Sequence, residues 1–98
     1  MSSNRVLPPL KSLKAFRYAA QTLSFKKAAE SLFVTQAAVS QQIKTLEQSL
    51  GVELFERHTR QVVLTSEGQY LFEYVEKAFA LLEDGVKGVT EDPNPNTL

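Results

Sequence analysis

The spacing of apolar residues changes twice along this chain, and those two changes leave few folds open. From Leu10 to Gly51 apolar side chains recur at intervals of three and four, the pattern of helices that each pack by one face. From Leu54 to Leu64 they fall into two short β-leaning runs, Leu54-Phe55-Glu56-Arg57 and Gln61-Val62-Val63-Leu64, with His58-Thr59-Arg60 between them. From Ser66 the helical interval returns and is held almost to the end of the chain. The expected architecture is mainly α: three helices, a short β-hairpin and one long final helix.

The boundaries follow from residues that start and stop helices. Residues 1–8 read as a flexible N-terminal arm running into Pro8-Pro9, and proline near the first helical position suits a helix over about 9–22. Leu13, Phe16, Ala20 and Leu23 form its apolar face. Ser24 can cap a second helix over about 25–32, with Phe25 pointing inward and Ala28 and Ala29 small enough to let another helix approach. Phe33-Val34 is a connection short enough to make a helix-turn-helix. Thr35 can cap a third helix over about 36–49, in which Val39, Ile43, Leu46 and Leu50 form the buried stripe. Gly51 suits the left-handed conformation that ends helices. Thr65 caps the last helix, about 66–89, with Glu67 at the positive end of its dipole.

That last helix is apolar on two sides. Leu71, Val75, Leu82 and Val89 make one stripe, and Phe72, Phe79 and Val86 another, with Tyr70, Tyr74, Ala78 and Leu81 adjoining. Three small helices and a hairpin can cover only one side, so the other calls for a partner chain or for more of the same chain. Residues 90–98, TEDPNPNTL, read as the start of a linker.

Charge is unevenly placed although the net charge is zero. Residues 1–44 hold seven basic side chains against Glu30 alone, whereas residues 45–98 hold four basic and ten acidic ones. Such asymmetry fits a basic face for a polyanion, or a dipolar surface with no ligand. The face of the third helix opposite its stripe carries Gln36, Ala37, Ser40 and Gln41, with Lys44 one turn on and no acid among them. Amides and hydroxyls hydrogen-bond base edges in a major groove, and an alanine methyl can meet a thymine methyl. The bland alternative is a neutral solvated face. Arg57 and Arg60 lie at the hairpin tip, where arginine suits a narrow minor groove or the backbone.

Other functions find little support. The chain has no cysteine, so it has no disulfide frame or thiolate metal site, which fits a reducing compartment. No apolar run approaches the roughly 20 residues of a membrane span, and MSSNRVLPPL lacks the core of a secretory signal, so a soluble cytoplasmic protein is expected. His58, the sole histidine, has no ligand-spaced neighbours. The carboxylate pairs Glu53/Glu56 and Glu73/Glu76 are expected to be solvated, and there is no glycine-rich phosphate loop. No catalytic group, metal or cofactor is expected.

Residues 23–68 closely resemble the N-terminal DNA-binding region of LysR-type transcriptional regulators. The marks are SF-x-x-AA-x-x-L, V-T-Q-x-A-V-S-x-Q-I-x-x-LE-x-x-LG, LF-x-R and LT-x-x-G, in order and at family spacing. The Q-A-A-V-S version with an upstream LSF is similar to the branch containing the glycine-cleavage activator. The resemblance implies a winged helix-turn-helix over 9–65 and a linker helix over 66–89 that pairs antiparallel in a homodimer. It implies double-stranded DNA as partner, with Thr35, Gln36, Ala37, Ser40 and Gln41 at the bases. Lys26, Lys27, Lys44, Arg57 and Arg60 would serve the backbone or the minor groove, Arg60 matching the family's wing residue. Leu71, Phe72, Val75, Phe79, Leu82 and Val86 are the expected dimer contacts. Many members carry proline at Ala37 or Ala38 and a basic residue at Gln41. A small-molecule effector would act only through a missing C-terminal α/β domain, and a full-length form would be expected to reach a tetramer. The competing expectation is a helical interaction module that pairs with related chains and does not read DNA.

Overall fold

The computed structural model describes residues 7–59 and 61–91. In chain order it contains α1 (Leu10–Thr22), α2 (Phe25–Leu32), α3 (Gln36–Leu50), β1 (Phe55–Arg57), β2 (Val62–Leu64) and α4 (Ser66–Glu91). Pro9 sits one position before α1 and caps it with its carbonyl, which accepts from the Ser12 and Leu13 amides at 3.0 and 3.2 Å. The Ser24 hydroxyl accepts from the Lys27 amide at 3.1 Å, and the Thr35 hydroxyl from the Ala38 amide at 3.0 Å, so both expected caps form. α3 ends at Gly51 with φ 74°, a left-handed residue whose amide reaches Glu47 O.

α2 is bracketed by two further left-handed residues that are not glycine, Leu23 (φ 53°) and Phe33 (φ 60°). A branched or bulky residue held there is strained and persists only where its surroundings impose it. Both stand at helix C-termini, where their amides return to the preceding turn, Leu23 to Ala19 O and Phe33 to Ala29 O and Glu30 O. Val34 N–H returns to Ala29 O at 3.1 Å, which turns the chain sharply into α3.

The core lies where α1, α2 and α3 meet the hairpin. Phe16, Ile43, Leu46, Leu54 and Phe55 are fully buried. Phe55 is met edge-on by Phe16 at 5.6 Å and by Phe25 at 5.4 Å, and Phe72 of α4 approaches Phe16 at 6.4 Å. These tilted ring pairs favour each other beyond simple burial and tie four elements together. Ala15, Ala19, Ala20, Ala28 and Ala29 are buried, which lets the helix backbones approach closely. Leu50, expected in the α3 stripe, is 40 % exposed, because the last turn of α3 projects beyond the core.

The hairpin is antiparallel, with Phe55 opposite Leu64, Glu56 opposite Val63 and Arg57 opposite Val62. Thr65 turns it into α4: its hydroxyl donates to Glu53 O at 2.7 Å and accepts from Gly68 N–H at 2.9 Å. Gly68 is required by close approach. A Cβ there would stand 2.1 Å from Leu54 O, a backbone atom that cannot step aside. α4 continues through Thr90 and Glu91, two residues into the stretch expected to be linker. Residues 92–98 of that stretch and 1–6 of the expected arm lie outside the described residues.

Candidate nucleic-acid interface

α3 presents the expected polar face. Thr35, Gln36, Ala37, Gln41 and Lys44 are exposed and Ser40 is half-buried, while Val39, Ile43 and Leu46 turn inward. Helical geometry gathers Ala37, Ser40, Gln41 and Lys44 on one side, with Gln36 beside them at the helix start. The first turn holds no acidic side chain, and its free amides make that end electropositive. Thr35 is committed to its cap, and Gln41 Nε2 donates to Thr45 Oγ1 at 3.2 Å. Lys26 and Lys27 stand exposed on the first turn of α2.

Arg57 is placed differently from the expectation. It ends β1 rather than occupying the hairpin tip. Its guanidinium lies 5.3 Å over the Phe25 ring and 3.5 Å from Glu47 Oε1. Its side chain is nevertheless 41 % exposed, so one edge still faces solvent beside Lys44. Arg60 lies outside the described residues.

Three features went unread in the sequence. Glu47, on α3, is 9 % exposed, and its Oε2 accepts from the amides of Leu54 (2.8 Å) and Phe55 (3.2 Å). A carboxylate taking two backbone N–H groups and facing an arginine welds α3 to the hairpin. Nothing in the heptad-like pattern distinguishes it from a solvated acid. Lys11 and Lys14 of α1 line a recess of about 260 Å³ with Ala38 and Gln42 of α3, so α1 adds two cations to that flank. Buried Ser12 donates to Gln42 Oε1 at 2.7 Å and fixes the spacing of α1 and α3.

The expected dimer set is divided by the structure. Val75 is 5 % exposed and belongs to the chain's own core; Phe72 and Phe79 face α1; Leu71 is half-buried. Of the six expected dimer contacts, drawn from both stripes of α4, Val75, Phe72 and Phe79 thus pack within the chain, while Leu82 and Val86 stay exposed. The uncovered apolar strip runs through Tyr70, Tyr74, Leu81, Leu82, Val86 and Val89, each more than half exposed. The Tyr70 phenol, hydrogen-bonded to Tyr74, is pushed above its usual range. Of the carboxylate pairs expected to be solvated, Glu76 is bound to Arg17 and Gln21, and Glu56 lies 3.2 Å from His58 Nε2. No cluster of His, Cys, Asp or Glu able to hold a metal ion occurs among the described residues. None of their helices is long and apolar enough to cross a membrane.

Residues 10–69 match the family described as bacterial regulatory helix-turn-helix protein, lysR family. The chain belongs to the LysR family. Its sequence is 52% identical over 81 residues to the glycine cleavage system transcriptional activator of Escherichia coli K12, covering 83% of this chain and 27% of that protein. It thus spans about a quarter of the length of the curated relatives it matches. Among solved LysR-family structures, it superposes with TM-score 0.79 and 34% identity on the BenM DNA-binding domain in complex with catB site 1 DNA, over 85% of this chain and 92% of that one. It superposes with TM-score 0.81 and 32% identity on oxidized Corynebacterium glutamicum OxyR, over 96% of this chain and 28% of that one. The LysR fold here is the winged helix-turn-helix, with β1 and β2 as the wing and α4 following it.

Proposed function

We propose that this chain is the DNA-reading unit of a cytoplasmic transcriptional regulator, which acts as a homodimer on a dyad-symmetric operator. The observation that carries the reading is the exposed, acid-free face of α3, in a fold shared with a relative solved on DNA. With α3 in a major groove, Gln36, Ser40 and Gln41 hydrogen-bond base edges, Ala37 supplies a methyl, and Thr35 sets the helix end against the phosphates. Lys26, Lys27 and Lys44 neutralise phosphate, and Arg57 and Arg60 serve the wing. Two copies join through the outer strip of α4, whose residues Leu81, Leu82 and Val86 form an apolar surface. The recognition helices then fall about 34 Å apart, one turn of DNA, or a multiple of it. Higher assembly and control by a small molecule belong to a longer chain carrying an effector domain.

Selection of bound sequences from random DNA, followed by gel-shift titration at several salt concentrations, tests the reading. The selected site should be dyadic, and affinity should fall steeply with salt. Gln36→Ala or Ser40→Ala should cost about 1–3 kcal/mol on the selected site and less on random DNA. Equal losses on both, or no selected site, would favour the interaction module that pairs with related chains instead.

A further inference from the structure

α4 meets the rest of the chain through β2 at its start and through α1 along its middle; from Leu81 to Glu91 every residue is exposed. The attachment to α1 centres on one side chain. Arg17 Nη1 donates to Glu83 Oε2 at 2.8 Å and Nη2 to Glu76 Oε1 at 3.4 Å, while its guanidinium lies 5.2 Å over the Phe79 ring. Glu76 and Glu83 are two turns apart on the same face, with Phe79 between them, so a single planar fork spans almost two turns of α4. Gln21 of α1 donates to Glu76 as well. Arg17 is only 13 % exposed, and its Nε is buried with no hydrogen-bond partner.

This arrangement is poor at adding stability and good at setting an angle. Glu83 is 62 % exposed, so solvent screens its attraction to Arg17, and the orphaned Nε–H costs desolvation. A rigid guanidinium held by two carboxylates and an aromatic face nevertheless has one low-energy position. Gly68, pressed against Leu54 O, is the fixed end of the helix. Leu82, in the outer strip, lies roughly 21 Å further along the axis at 1.5 Å per residue. A tilt of about 9° about Gly68 would therefore move Leu82 by about 3.4 Å, one base-pair step along DNA.

We propose that Arg17 is a positioning residue for operator geometry: with Glu76 and Glu83 it locks α4 to α1 and so sets the half-site spacing that the dimer accepts. The proposal rests on the reading of α4 as the dimer helix and α3 as the DNA reader. In that assembly, α3 reaches its twin both through the hairpin and Thr65, which fix the start of α4, and through α1 and both clamps, which fix its angle.

The test uses the selected operator and derivatives with one or two base pairs added to or removed from the centre. Binding is followed by fluorescence anisotropy at one salt concentration. Arg17→Met keeps the apolar stem over Phe79 and removes both ion pairs, and Glu83→Gln loosens the exposed half of the clamp with less effect on folding. Wild type should lose tenfold or more when the spacing changes by one base pair. Arg17→Met should bind the same altered spacings within about threefold of its best site, and Glu83→Gln should fall between. Penalties for base changes inside a half-site should stay at wild-type values in both variants, which a general loss of structure would not allow. A folded, dimeric variant of either kind with the wild-type spacing profile would overturn the proposal. So would base penalties that collapse along with the spacing preference. If the wild type shows no dyad preference at all, the parent reading fails first, and this one with it.

Discussion

Replacing Glu47 by alanine should loosen the wing from the recognition helix at a cost that can be worked from its contacts. The carboxylate is nearly buried, and a single oxygen, Oε2, accepts from both Leu54 N–H and Phe55 N–H. Without it, two amides next to fully buried side chains lose their acceptor, at about 1–3 kcal/mol each. Arg57 also loses its anion, which at 3.5 Å and with the arginine 41 % exposed adds little. The expected loss is about 2–6 kcal/mol, and at about 4–8 °C per kcal/mol for a domain of this size that is a large fall in Tm. Glu47→Gln separates the causes. Its amide oxygen can still take both N–H groups, with only the charge assistance gone, so about 1 kcal/mol is expected. Urea and thermal unfolding, at one protein concentration because dimerisation adds stability by mass action, give both values. A Glu47→Ala protein within about 0.5 kcal/mol of wild type would refute the account, as would a glutamine variant as damaged as the alanine one.

Gly68→Ala should unfold the junction between wing and α4, because its methyl meets Leu54 O at 2.1 Å; a loss above about 3 kcal/mol in urea unfolding is expected, and a wild-type midpoint would contradict the packing. Leu82→Glu and Val75→Glu should fail in different ways. The first places a charge on a half-exposed residue of the outer strip and should yield folded monomer in sedimentation, whereas the second buries an unpaired charge in the core and should unfold the chain. A folded Val75→Glu monomer would return that residue to the dimer face.

Local chemistry makes most of the elements legible in the sequence. Ser24, Thr35, Gly51 and Thr65 mark helix ends through their own side chains or lack of one, and each appears where its chemistry places it. The polar face of α3 is legible for the same reason, since helical periodicity needs no distant partner. Most of what escapes depends on contacts between remote segments. Leu23 and Phe33 adopt left-handed conformations that their residue types disfavour, each closing the helix before it where glycine would be expected. Val75 lies on an apolar stripe like Leu82, and only the position of α1 distinguishes inside from outside. Glu47 and Arg17 look like surface charges in a string of residues. Their roles come from the backbone amides of a later hairpin and from carboxylates 59 and 66 residues away.

The two left-handed residues at either end of α2 also govern how this domain can change over time. Each closes the helix before it, Leu23 through Ala19 O and Phe33 through Ala29 O and Glu30 O, so the chain reverses on both sides of the eight-residue α2. Side chains on it can be exchanged, but gaining or losing one residue would rotate Lys26 and Lys27 around the helix and carry α3 off its axis. Insertions and deletions should therefore be purged between Ser24 and Thr35.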